Sequence, residues 1–389
     1  MQHKDVNQMS NTALQDREAS PQSDTIAVRI SPTKYSRILP ANSRTVGPKE
    51  RIVWVILQAV LLLVGVALVG LLIFWQNVGL AVMWYLLIPV APALVAIAPG
   101  AWRNICPMAT VHLLAQKMGI ARNMRMPEWG AAALGWISMI LLFVIVPMRH
   151  VGLNTDGSLT ATMLLSAAVV AFVMGALFEM RSGWCNSLCP IHSVERLYGT
   201  NPVITFKNAR CDLCEVCSNP CPDSTPELTP TVIGTKFVGN FLVGSFAGFI
   251  WGWFQVPDYL PHEVGIHEII ESYVWPWGAC IVTYAVFKIF ERIFRHKDIA
   301  RALLHRLFAA AAISTYYWYR IPDLLGPSLP DWFPLASRMV TTPFFLWLIV
   351  FRLPKVSWQK RPVMASTYWS SRFEKKAKKT LVRVAPGRT

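Results

Sequence analysis

The sequence predicts an all-α integral membrane protein with about eight transmembrane helices and one small cysteine-rich insert. Three observations carry this. Of the 389 residues 53% are hydrophobic and only 15% are charged, where an average soluble domain has about 25% charged residues. The mean hydropathy is +0.38. Eight apolar runs approach the length of about 20 residues that a bilayer requires, and seven of the eight cysteines gather in the connections between them. This composition excludes a disordered chain, a collagen-like chain and an ordinary soluble enzyme.

The elements follow in order. Residues 1–51 are polar, rich in Gln, Ser, Asn and charge. They contain no short apolar stretch with a small-residue cleavage site, so they read as a disordered cytoplasmic arm rather than a signal peptide. Residues 52–180 hold four spans, at 52–75, 79–98, 130–147 and 160–180, with a connection at 99–129. Residues 181–236 form the insert. Residues 237–351 hold four more spans, at 237–256, 272–290, 304–319 and 335–351, and 352–389 is a basic tail. The run at 304–319 is the weakest, short and ending in Thr315, Tyr316, Tyr317, Trp318 and Tyr319. So many runs with almost no internal charge cannot all be buried in one soluble core.

Lys and Arg set the orientation. All but three of the 37 lie in the arm, the connection 99–129, the insert, the stretch 288–306 and the tail; the exceptions are Arg149, Arg320 and Arg338. Both termini and the insert are therefore expected in the cytoplasm. The run Lys375, Lys376, Lys378 and Lys379 reads as an anchor to anionic membrane lipid. No aromatic or structured pattern accompanies it that would suggest nucleic-acid binding.

In a cytoplasmic compartment thiols stay reduced, which favours metal over disulfides. The insert carries Cys211-Asp-Leu-Cys214-Glu-Val-Cys217-Ser-Asn-Pro-Cys221-Pro222. This C-x2-C-x2-C-x3-C-P spacing is the bacterial ferredoxin run. Three thiolates two residues apart wrap one face of a cubane, and the short gaps leave backbone N–H groups free to meet the sulfurs. Zinc ribbons separate their cysteine pairs by a dozen or more residues; here four cysteines fall within eleven positions. The expectation is a ferredoxin-like cytoplasmic insert holding a 4Fe–4S cluster.

The fourth ligand has two readings. Cys185-Asn-Ser-Leu-Cys189-Pro190 matches the second half of a ferredoxin run, proline included. In two-cluster ferredoxins the last cysteine of one run serves the other cluster. By that logic Cys189 completes the set of Cys211, Cys214 and Cys217, and Cys221 joins Cys185 at a second, incomplete site. Alternatively, Cys221 closes its own cluster. A second cluster would need a non-cysteine ligand such as His192 or water.

Cys106 belongs to the same pattern. Cys106-Pro107-Met-Ala-Thr110-Val111-His-Leu-Leu114 aligns with Cys189-Pro190-Ile-His-Ser193-Val194-Glu-Arg-Leu197, and each follows a pair of spans. This predicts an internal repeat of two spans, Cys-Pro and a short amphipathic helix. Trp102 stands where the second copy has Cys185. Cys106 is a candidate redox or ligand residue, or simply a helix entrance.

The C-x3-C-P after a span and the run from Cys211 to Pro222 resemble membrane-bound ferredoxin-type (polyferredoxin) proteins. These accompany periplasmic nitrate reductase or form the membrane half of the nitrous-oxide reductase regulator; the cytochrome-oxidase-accessory polyferredoxin is similar. The resemblance covers about residues 52–256. It implies a bacterial inner-membrane protein passing electrons between a quinone pool or membrane partner and an oxidoreductase. It differs in having one full run instead of two, and in the loss of the first thiol at Trp102. An alternative function is an iron–sulfur redox sensor or a maturation factor for a metalloenzyme. A chain of this kind would work as an electron-transfer subunit rather than as a stand-alone enzyme.

Among the remaining residues, Cys280 reads as a buried structural thiol and Glu179 as a carboxylate at a span edge. His150, His262 and His267 map to the outer side, the last two to a loop; paired histidines can ligate a haem or bind a quinone head group, but loop histidines are more often ordinary surface residues. No phosphate loop, hydrolytic triad or dinucleotide fingerprint is present.

Overall fold

The computed structural model describes residues 47–122, 124, 126–178, 183–199, 202–204, 206, 209–210, 236–295, 298–326 and 329–352. The arm before residue 47, the tail after 352, Glu179 and the run Cys211–Cys221 lie outside them.

The described chain is helical, its β-content a single bridge between Met124 and Phe178. Helix α1 spans Pro48–Phe74 and α2 Gln76–Ile97; short helices α3 (Pro99–Ile105) and α4 (Pro107–Lys117) follow. Helix α5 (Glu128–Met148) continues through the turn Arg149–Leu153; α6 is Gly157–Leu177, and after one turn at Trp184–Leu188 comes α7 (Pro190–Tyr198). The second half is α8 (Lys236–Trp253), α9 (Ile266–Ile293), α10 (Asp298–Leu325) and α11 (Phe333–Leu346), the last prolonged by Trp347–Phe351.

A long helix therefore stands at each of the eight expected places. Six of them are long and apolar enough to cross a membrane: α1, α2, α5, α6, α9 and α11 with their extensions. The apolar part of α8, Phe237–Trp253, is shorter. Helix α10 is long but less apolar, since Arg301, His305 and Arg306 lie on it. It is also longer than the run at 304–319 suggests, because polar turns extend it at both ends. His267 falls inside α9 rather than in a loop, because the helix is capped at Gly265, whose N donates to Glu268 Oε2.

Local sequence explains the irregularities. The widened turn Val82–Leu87 in α2 directly precedes Pro89, whose ring cannot accommodate a regular hydrogen bond to the preceding turn. Asp156 starts α6, its Oδ1 accepting from Ser158 N at 2.8 Å and Leu159 N at 3.0 Å.

The repeat is visible as a reciprocal exchange. Helix α4, which ends the first copy, packs on α6 of the second; α7, which ends the second copy, packs on α2 of the first. The α4–α6 contact is close enough that His112 donates from Nδ1 to Ala171 O at 3.1 Å. A Cβ built on Gly175 would overlap the carbonyl of His112.

In the second half, α8 and α9 meet along Gly244, Gly248 and Gly252. Gly244 lies under the Phe287 ring, Gly248 against Ala279 and Thr283, and Gly252 against Trp275 and Pro276. Thr283 Oγ1 donates across to Ser245 O at 3.1 Å. Lipid tails are as apolar as the helices, so such close packing and hydrogen bonding, rather than water exclusion, hold spans together. One core joins the halves, with Phe143, Tyr198, Leu242, Phe249, Phe287 and Ile313 fully buried.

Candidate metal centre

Helices α3, α4 and α7 and residues 202–204, 206 and 209–210 cap one end of the bundle, the cysteine end. Val203 N and Ile204 N both donate to Ile97 O, at 2.8 and 3.0 Å. Cys106 and Cys189 have matching roles and matching backbones there: each is the cap residue of a helix that begins with proline, at φ −53°, ψ 121° and φ −66°, ψ 116°. Proline costs nothing at that position, because the first N–H of a helix has no partner within it. The next N–H groups are turned toward the sulfurs, Met108 and Ala109 toward Cys106, Ile191 and His192 toward Cys189. A helix start of this kind favours a thiolate.

Burial acts in the opposite direction. It pushes the Cys106 thiol up, offset in part by these N–H groups and by Arg210. Cys189 is pushed up to about 12, first by burial and then by the charge of neighbouring Cys106. Each thiol with so raised a pKa stays protonated at neutral pH unless a metal displaces the proton. Cys185, half-buried, packs with Cys189, Trp184, Leu188 and Met108 in one small cluster.

Arg210 fastens the insert to this end. Its Nε donates to Arg103 O at 3.1 Å, and its Nη2 to Asn104 O at 3.0 Å, Cys106 O at 3.2 Å and Thr110 Oγ1 at 3.2 Å. Ala209 N donates to Asn104 Oδ1 at 3.0 Å. Arg103 forms a buried ion pair with Glu195, which also meets His192 Nδ1 at 3.4 Å. Ser138 Oγ donates to Cys189 O at 3.0 Å. First copy, second copy and insert are thus locked together around Cys106 and Cys189. Arg210 is the residue before Cys211 in the chain.

Cys211, Cys214, Cys217 and Cys221 lie outside the described residues. Among the described residues, no three of His, Cys, Asp or Glu gather closely enough to hold a metal ion. Cys106 and Cys189 present buried sulfurs to helix-start N–H donors, chemistry that suits a soft metal, but together with Cys185 they do not by themselves make a metal site. Cys280 sits apart, buried in the core between α8 and α9.

The histidines separate. His150 is buried, Nδ1 at 2.7 Å from Asp258 Oδ1 and Nε2 at 3.0 Å from Trp253 O. Burial alone would raise the Asp258 carboxyl, but hydrogen bonds from His150 and Asn154 and the charge of Arg149 hold it below the usual carboxylate range. The His267 side chain is 82% exposed, so the three do not form a common site.

Arg103, Glu195 and Arg210 carry no motif in the sequence. The one available signal was their charge at positions that the periodicity of α7 and the spacing of the run leave inside. No protein-family model, no curated protein and no solved structure matches the chain.

Proposed function

We propose that the chain is a membrane-anchored iron–sulfur electron-transfer protein, passing electrons between a quinone or membrane partner and an oxidoreductase. The observation that carries this reading is the ferredoxin spacing from Cys211 to Pro222, continued from an Arg210 that is pinned to the carbonyl of Cys106 in the first repeat copy. A 4Fe–4S cluster supplies one-electron transfer when bound; Cys211, Cys214 and Cys217 with either Cys189 or Cys221 would hold it. The protein's own residues do the positioning. Arg210 fixes where the cysteine run starts, the Arg103–Glu195 pair holds the two Cys-Pro turns in register, and the N–H groups of α4 and α7 neutralise thiolate charge. Burial of both thiols keeps water from the ligand set.

Anaerobic purification with iron and sulfide quantification tests the assignment; protein without either refutes it. Two variants then separate the ligation schemes. The proline following both Cys189 and Cys221 favours cross-donation. In that case Cys189→Ala loses or distorts the reduced S = ½ EPR signal while Cys221→Ala keeps it. The reverse dependence means the run closes on itself.

In this reading α8 and α10 also span the bilayer, giving eight spans with the cysteine end and both termini in the cytoplasm. The charge asymmetry supports it, because all but three of the 37 basic residues fall on one side. A reporter active only in the cytoplasm should work after Thr389 or within 223–235 and fail near Asp156 or Val264. The opposite pattern would invert the orientation.

A further inference from the structure

The end of the bundle opposite the cysteines holds two buried guanidinium groups. Arg149, at the end of α5, is 8% exposed, and Arg320, near the end of α10, is 5% exposed. Both rest on Trp84: the Arg149 Cζ lies 3.9 Å from its ring centroid, and Arg320 Nη2 donates to its carbonyl. Trp253 covers Arg149 from another side at 4.6 Å, and Tyr85 faces Arg320 at 4.8 Å. Each cation and the Tyr316 hydroxyl lie within range of one another's charge.

The donors are only partly used. Arg149 donates from Nε to Asn154 Oδ1 at 3.0 Å, and among the described residues no carboxylate meets its guanidinium directly. The nearby Asp258 is taken up by His150 and Asn154. Arg320 pairs through Nη1 with Asp323, itself about half exposed. Arg320 Nε and the Tyr316 hydroxyl are buried and face one another without a hydrogen bond of good geometry among the described residues, the Tyr316 oxygen turned toward Arg320 and its own proton without an acceptor. Two like charges and a hydroxyl proton without an acceptor are costly in a low-dielectric site unless an acceptor joins them. The aromatic plates hold both guanidiniums flat and leave their edges as the directions for donation.

We infer that Arg149, Arg320 and Tyr316 form a binding site for a phosphate group, carried by a lipid headgroup or free in solution. Donors from three side chains suit a tetrahedral oxyanion with several acceptor oxygens better than a carboxylate with two. The position suits a headgroup, since Tyr85 and Leu86 beside the site are 51% and 60% exposed on an apolar face. The site also accounts for two of the three basic residues that escape the charge asymmetry: they are buried functional cations, not surface anchors.

The test uses the full chain in detergent, with Trp84 and Trp253 as fluorescent reporters. One arm titrates inorganic phosphate. The other adds phosphatidylglycerol in mixed micelles, against diacylglycerol, which has the same chains and no phosphate. A saturable change with phosphate assigns a free anion; a change with phosphatidylglycerol alone assigns the lipid. In either case Tyr316→Phe, which keeps the ring, should weaken binding about tenfold, and Arg320→Gln about a hundredfold. If Arg320→Gln fails to fold, Tyr316→Phe decides. The inference is overturned if neither probe binds the wild type, or if Tyr316→Phe binds as tightly as the wild type. The readout needs no metal, so it stands or falls independently of the electron-transfer reading.

Discussion

Cys214→Ser should yield a protein that inserts and extracts normally but comes out colourless. A cubane iron with a thiolate removed is left to serine or water, hard ligands that compete poorly for it. Cys211→Ser and Cys217→Ser should behave alike, with iron and sulfide falling from about four of each per chain to near zero. The helical bundle should survive, because the core residues Phe143, Phe249 and Phe287 pack between α5, α8 and α9, with none of the four run cysteines among them. Visible absorption together with iron and sulfide assay provides the check. An unchanged chromophore in Cys214→Ser would remove this run as the ligand set.

Gly175→Ala should have the opposite signature, loss of folded protein rather than loss of colour alone. The added Cβ would fall on the carbonyl of His112, a backbone atom on another helix that no rotamer change can move. Helix α4 would have to retreat from α6, breaking the His112–Ala171 hydrogen bond and shifting the Cys106 cap at the start of α4. Overpacking of this kind costs about 3 kcal/mol, a large part of the stability of most proteins. The thermal midpoint and the monodisperse fraction after detergent extraction should both fall. Gly70→Ala is the control, since a Cβ there meets nothing within 4 Å. Equal behaviour of the two variants would show that the α4–α6 contact is looser than described.

Much of the bundle is legible residue by residue. Lipid offers no partner to a backbone N–H or C=O, so an apolar run of sufficient length must be a helix; the long helices stand where the runs predicted them. The Cys-Pro pairs announce helix starts for a similarly local reason, because proline suits the first helical position. The glycine seam of α8 was readable too, as the spacing Gly244, Gly248, Gly252 in an apolar helix, though its partner α9 was not. Boundaries failed where polar turns prolong a helix, as in α10, or where a capping turn starts one early, as at Gly265.

Composition and spacing, being local properties, settled that the chain is helical and membrane-like and that its thiols recur in a repeat. Which groups meet is not local. That α4 crosses to the second copy and α7 to the first depends on contacts between distant residues, such as His112 with Ala171 and Gly199 with Val95. The anchoring of Arg210 on backbone carbonyls leaves no trace in side-chain pattern, since any residue supplies a carbonyl. Arg149 and Arg320, two stray charges in the sequence, become a pair only because α2 brings Trp84 between them; long-range packing alone sets that distance.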